Sequence, residues 1–243
     1  MISKSQAKFI KSLQLKKQRK QEQLFIVEGE KSVLEVLKSK YNIKYLLGTE
    51  KFFDVNGEFD GVESFVVTSK VLESVGSFKS NDQALAVVHM PDLGNDKYSK
   101  DPWLIALDDV NDPGNLGTII RLADWFGIGN ILASKDTADL YNPKVISATK
   151  GSFTRVNVHY VDLAVVLPQL KRTIYVADME GKNAHKVDYE DKGVLLMGNE
   201  ANGISDNLKS LKINKITIPK YGKAESLNVA MATGIILDNI KRG

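Results

Sequence analysis

Val194-Leu195-Leu196-Met197-Gly198-Asn199-Glu200-Ala201-Asn202-Gly203-Ile204 is an apolar run that ends abruptly in a Gly-Asn-Glu turn. A short apolar run bounded by glycine reads as a buried strand. In an α/β sheet, ligands gather where such strands end. Gly198 is the residue type that permits a positive φ or the close approach of a ligand. Glu200 falls at the sheet's carboxyl edge, where it is either an acceptor for substrate or a turn residue.

Outward from this stretch, short strands alternate with helical segments. Strands are expected at 103–107, 130–133, 155–158, 173–177, 194–197 and 216–218. Helices are expected at 116–126, 143–149, 162–170, after Ser205, and at 226–241. Such alternation implies a mainly parallel sheet covered by helices on both faces. Upstream, strands at 24–27, 45–47, 65–67 and 85–88, with helices at 30–39 and 69–74, form a small α/β layer of their own. The polar, proline-bearing stretch from Met90 to Pro102 reads as a linker. Two domains are expected, 1–97 and 98–243.

The chain has 243 residues and a formal net charge of +3. That length supports a proper core in one or two domains. The charge is unevenly placed. Lys4, Lys8, Lys11, Lys16, Lys17, Arg19 and Lys20 give the first 20 residues +7 with no acid, which leaves −4 on the rest. Asymmetry of this kind suggests a polyanion or a membrane surface as partner. Residues 4–20 read as one helix, either a solvated one or a phosphate-contacting arm.

Several classes fall away. There is no cysteine, so disulfide scaffolds, thiolate zinc and a cysteine nucleophile are excluded. The three histidines lack metal-protease spacing. No apolar run is long enough to span a membrane. The basic N-terminus has no apolar stretch after it, so it is not read as a secretory signal, and a cytoplasmic location is expected. GxGxxG and GxxxxGK[ST] are both absent, as is the acidic-Gly-x-Gly opening of ordinary nucleotide-fold methyltransferases.

Two further glycine-bearing segments follow expected strands. In Asp108-Asp109-Val110-Asn111-Asp112-Pro113-Gly114-Asn115-Leu116-Gly117-Thr118-Ile119-Ile120-Arg121, Pro-Gly makes a turn and Asn115 suits a helix N-cap. Arg121 lies nearly two helical turns on. Cap, packing glycine and solvated arginine remain the plain alternative for these three. The aspartates read as turn residues rather than a magnesium site. In Ile216-Thr217-Ile218-Pro219-Lys220-Tyr221-Gly222-Lys223-Ala224-Glu225-Ser226-Leu227-Asn228-Val229-Ala230, a strand ends at proline and Ser226 opens the last helix. That helix is apolar or small on nearly every face, so a second subunit is expected to cover it.

Together and in this order, these segments resemble the SpoU/TrmH family of RNA ribose 2'-O-methyltransferases. The resemblance rests on Asn115-x-Gly117-x-x-x-Arg121, on Gly198-Asn199-Glu200-x-x-Gly203, and on Ile218-Pro219 with Gly222 and Ser226-Leu227-Asn228-Val229. It implies a trefoil-knotted α/β fold of the SPOUT group, with S-adenosylmethionine as methyl donor. Gly198, Ile218 and Leu227 would hold the donor through backbone groups, with Met197, Pro219 and Asn228 in the same pocket. Arg121, Asn115, Glu200, Ser226 and Asn228 would form the catalytic set, with no metal. The resemblance further implies a homodimer through the C-terminal domain, with the Asn115–Arg121 segment reaching the partner's pocket.

The front half, from Phe25-Ile26-Val27-Glu28-Gly29, is similar to the ribosomal-protein-like RNA-binding module that precedes many such domains. Lys16, Lys17, Arg19, Lys20, Arg155 and Lys220 are the expected RNA contacts, with rRNA favoured over tRNA. Two positions depart from the family pattern: Lys220 stands where methionine is frequent, and Ala201 where glycine is frequent. Two other readings compete. One is a non-catalytic RNA-binding homologue, and the other is an α/β enzyme acting on a small nucleotide.

Overall fold

A computed structural model describes residues 2–78, 81, 83–94 and 101–242. In chain order the elements are α1 (Lys4–Ser12), α2 (Lys16–Glu22), β1 (Leu24–Glu28), α3 (Glu30–Leu37), β2 (Ile43–Gly48), α4 (Glu50–Asn56), β3 (Ser64–Val66), α5 (Ser69–Val75) and β4 (Ala84–His89). There follow β5 (Trp103–Leu107), α6 (Pro113–Trp125), β6 (Asn130–Ala133), α7 (Pro143–Thr149), β7 (Asn157–Tyr160), α8 (Leu163–Gln169), β8 (Thr173–Asn183), β9 (Gly193–Met197), α9 (Asp206–Lys209), β10 (Ile213–Thr217) and α10 (Val229–Arg242).

The chain divides into two compact units. One holds residues 1–92 together with 139–154, and the other holds 93–138 and 155–243. The expected boundary near residue 98 lies outside the described residues. Nothing in the sequence pattern marked 139–154 as belonging with the front half.

The first unit carries a four-stranded sheet in the order β1-β4-β2-β3, antiparallel except for β2 with β3. The expected helix over 4–20 is two helices, broken at Leu13–Leu15. Leu13 and Ile10 are fully buried in the core, so the chain turns to insert them. The guanidinium of Arg19 takes the carbonyls freed at the break, donating to Leu13 O at 3.0 Å and Gln14 O at 2.7 Å. Gln14 Nε2 in turn donates to Gly76 O at 2.6 Å. Phe25 gathers Tyr141 and Phe153 from the 139–154 segment, with ring centroids 4.6 and 5.9 Å away. Burial among these rings pushes the Tyr41 hydroxyl up to about 12.

The second unit is a six-stranded, wholly parallel sheet in the order β10-β8-β9-β5-β6-β7. This is the expected α/β class. Every residue of β5 and β9, at the centre, is buried. That matches strands covered on both faces, whose sequences are continuous apolar runs. The outer elements depart from expectation. β7 begins at Asn157, because Ser152–Thr154 forms a 3-10 turn before it. β8 runs on to Asn183, with its pairing to β10 interrupted between Lys215 and Ile216. Residues 177–181 fall in that interruption, beside the strand ends that build the site. No helix of the described residues is long and apolar enough to cross a membrane.

Candidate active site

Three strand ends of the second unit meet at one cavity of about 580 Å³. That is within the usual range for a small-molecule site. Met197, Gly198, Ile218, Pro219 and Leu227 all line it, as do Glu200, Ser226 and Lys220. The structure therefore brings together residues that the sequence spreads over thirty positions. Val176, Ala177, Asp178 and Met179, at the end of the regular part of β8, also line it. They were missed in the sequence, although the carboxyl end of a parallel strand was itself a usable signal.

The loop after β9 is closed on itself. Asn199 and Gly203 exchange two backbone hydrogen bonds of 2.9 Å. Asn199 Oδ1 accepts from the N–H groups of Ala201 and Asn202, and Asn199 Nδ2 donates to Asp109 O at 3.0 Å. Gly198 has ordinary φ; its need is space. A Cβ there would lie 2.4 Å from the Gly203 carbonyl carbon. The close approach is thus to the chain's own backbone.

α6 begins earlier than expected, and its N-cap is Asp112 rather than Asn115. Asp112 Oδ1 accepts from Asn115 N at 2.8 Å, and Pro113 occupies the first turn. This leaves the Asn115 side chain available for tertiary contacts. Its Nδ2 donates to Glu200 Oε1, and its Oδ1 accepts from Asn228 Nδ2 at 2.8 Å. Three of the expected catalytic residues are therefore one hydrogen-bonded relay that reaches the cavity through Glu200. Asp108 and Asp109 are also engaged locally. Asp108 Oδ2 accepts from Ser205 N and Oγ at 2.7 and 2.8 Å, and the Asp109 carboxylate lies 3.4 Å from Asn199 Nδ2.

Asn228 differs from expectation in a second way. α10 starts at Val229, and Asn228 caps it, accepting from Ala230 N at 3.0 Å and Met231 N at 3.3 Å. Asn228 is not among the described lining residues of the cavity; its side chain is taken up by the helix cap and by Asn115. Ser226 lies in the loop before the helix rather than opening it. Residues 220–228 are all exposed.

Asp178 stands at the cavity wall. Burial alone would raise its carboxyl, but the N–H of Glu180 and the ammonium of Lys215, 2.9 Å from Oδ2, hold it below the usual range. It is a fixed negative charge in a site otherwise rich in backbone groups and apolar side chains.

Arg121 is exposed on α6 and is not among the described residues lining the cavity. α6 packs against α10, where a Cβ at Gly234 would meet Leu122 at 3.3 Å. The outer face of this helix pair is uncovered in the single chain. Met231 is 62% and Trp125 84% exposed. A second cavity of about 480 Å³ there is lined by Thr118, Leu122, Met231, Gly234 and Ile235, among others.

The basic set divides. Lys16, Lys17, Lys20 and Lys220 are exposed. Arg19 is only 2% exposed, and its Nη2 lies 2.6 Å from Asp139 Oδ2. It is a structural residue, which removes it from the expected RNA contacts. Arg155 is also committed, donating from Nε and Nη2 to the Asp124 carboxylate at 2.9–3.1 Å. Moving it to a phosphate would break these three hydrogen bonds.

Residues 102–238 match the SpoU rRNA Methylase family, and residues 4–86 match the MRM3-like substrate binding domain. The chain is 30% identical over 235 residues to the 23S rRNA (guanosine(2553)-2'-O)-methyltransferase RlmP of Bacillus subtilis, covering 95% of this chain and 94% of that one. It is 31% identical over 160 residues to the 23S rRNA (guanosine-2'-O-)-methyltransferase RlmB of Neisseria meningitidis, covering 64% of each. An AdoMet-bound rRNA methyltransferase from Sinorhizobium meliloti superposes with a TM-score of 0.88 at 29% identity, over 100% of this chain and 96% of that one.

Proposed function

The chain belongs to the SpoU rRNA methylase family, and from that premise we propose that it methylates a ribose 2'-hydroxyl of ribosomal RNA, with S-adenosylmethionine as donor. The observation that carries this reading is the Asn228–Asn115–Glu200 relay, which reaches into the 580 Å³ cavity through Glu200. The likeness to the Bacillus subtilis enzyme along nearly the whole chain supports 23S rRNA as the substrate.

The cavity fits the donor. Apolar strand ends at Met197 and Ile218, with Pro219 and Leu227, offer surface for an adenine ring, while the backbone groups of the two loops offer hydrogen bonds. When bound, S-adenosylmethionine supplies an electron-poor methyl carbon in front of the hydroxyl. The chain's own residues must align the 2'-oxygen with it, and alignment of this kind can supply roughly 7–11 kcal/mol. Asn115 and Glu200 hold the ribose from one side, and Ser226 from the loop opposite. Arg121 carries a planar guanidinium with five N–H donors and no acceptor, so it serves as clamp and charge partner rather than base. It binds the substrate phosphate and stabilises the negative charge that develops on the 2'-oxygen as its proton passes to phosphate or water and the methyl group leaves the sulfonium.

Arg121 does this work in a homodimer. Pairing through the uncovered face of α6 and α10 buries Trp125 and Met231 and carries Arg121 toward the partner's cavity. Residues 1–97 grip RNA, with Lys16, Lys17 and Lys20 on phosphates and Lys220 at the cavity mouth. An rRNA substrate supports a cytoplasmic location.

The test is transfer of labelled methyl from S-adenosylmethionine to rRNA, wild type against Arg121→Ala. The variant should lose roughly a hundredfold or more in transfer while cofactor affinity stays unchanged. A wild type that binds no cofactor overturns the reading. Binding without transfer identifies an RNA-binding homologue instead.

A further inference from the structure

Ten large hydrophobic side chains are well exposed among the described residues, and three of them, Met179, Tyr221 and Leu227, line the 580 Å³ cavity. Tyr221 is the extreme case at 95% exposed, and it is the only aromatic among the described lining residues. It sits in Lys220-Tyr221-Gly222-Lys223, with an exposed lysine on each side. An aromatic ring between two free cations at the mouth of a cavity is suited to a base with its neighbouring phosphates.

The reaction creates a need for such a surface. In-line transfer requires the 2'-oxygen to enter the cavity, and a nucleotide swung out of its stack reaches deepest into it. A base swung out in this way loses its stacking partners. Bases exposed in this way are held on aromatic side chains. The relay residues Asn115, Glu200 and Asn228 offer amides and a carboxylate but no ring.

We propose that Tyr221 is the stacking platform for the base of the nucleotide being methylated, with Lys220 and Lys223 on the phosphates either side of it. Tyr221 is a positioning residue: it touches the substrate base, not the reacting atoms. Because every base has a π face, the platform holds the nucleotide without choosing its identity. The inference rests on the methyltransferase reading given above.

The experiment compares wild type with Tyr221→Ala, Tyr221→Phe and Tyr221→Trp. Methyl transfer is measured on an unmodified 23S rRNA transcript, cofactor affinity by calorimetry and mass in solution by sedimentation. Tyr221→Ala should lose about 10- to 100-fold in kcat/KM for RNA, the range expected for one stacked base. Its cofactor affinity and mass should be unchanged, since the side chain supports nothing else in the fold. Tyr221→Phe and Tyr221→Trp should restore activity to within a few fold, because the ring and not the hydroxyl is needed. Full activity in Tyr221→Ala overturns the proposal. So does a parallel loss of cofactor affinity, which assigns the ring to the cofactor, or a fall in mass, which assigns it to a subunit contact. Failure of Tyr221→Phe points to a hydroxyl contact and overturns the stacking role. A wild type that transfers no methyl to the transcript overturns the enzymatic reading itself, and is recognised because it fails before any variant is compared.

Discussion

The two loops that form the cavity are built differently. Residues 198–203 fold back on themselves through paired backbone bonds, and Asn199 fastens them to Asp109. Residues 220–228 are exposed throughout and are anchored at their far end by Asn228. One wall of the site is finished before anything binds; the other is open. Preformed walls lower the ordering cost of binding, while open ones adapt to a larger ligand. The closed loop suits a small donor of constant shape, and the open loop suits RNA.

The sharpest way to break this contrast is Gly198→Ala. The added methyl meets the Gly203 backbone, which has no rotamer to yield. Overpacking of that kind costs about 1–3 kcal/mol. Cofactor affinity, read by calorimetry, should fall more than tenfold, along with a drop in Tm. A smaller loss of stability, joined to a loss of transfer, is expected at the anchor. Asn228→Ala removes the cap of α10 and the bond to Asn115, so it should cost about 1 kcal/mol of stability. Misplacing Asn115 should also slow transfer by on the order of a hundredfold. Asn228→Asp keeps the cap but loses the amide donor, so chemical denaturation should show stability restored while a transfer assay shows activity still lost. The smallest effect belongs to Gly222→Ala. Its Cβ would meet nothing within 4 Å, and stability should move by no more than about 0.5 kcal/mol. A cost equal to that of Gly198→Ala would abolish the distinction between the loops. A loss seen only with RNA present would sharpen it, because the open loop would then close on its substrate.

The sheet and most of the site were legible in the sequence because their signals are local. β5 and β9 are continuous apolar runs, and Gly198 and Glu200 directly follow the end of β9. What escaped was non-local. Asn115 looked like a cap because its neighbours are turn residues; Asp112, three positions earlier, takes that role and leaves Asn115 for Glu200, 85 positions on. Asp178 was passed over although the expected strand 173–177 ends beside it, because no glycine turn marks that end; what the sequence hid is that β8 continues past its interruption to pair again with β10. Arg19 looked like one more cation in a basic run. Its burial depends on Leu13 and Asp139, one near and one 120 positions away. Counting charge along a chain does not show which charges face water.

The segment 139–154 has a consequence for inheritance. Phe25 relies on rings from Tyr141 and Phe153, and the buried guanidinium of Arg19 relies on the Asp139 carboxylate. A gene cut after residue 92 would separate these partners and strand a buried cation without its counter-charge, a strongly destabilising change. The front module therefore cannot be traded between enzymes as a contiguous cassette. Any recombination that kept it folded would have to bring a matching stretch from the middle of the other half, so the two halves are expected to diverge together.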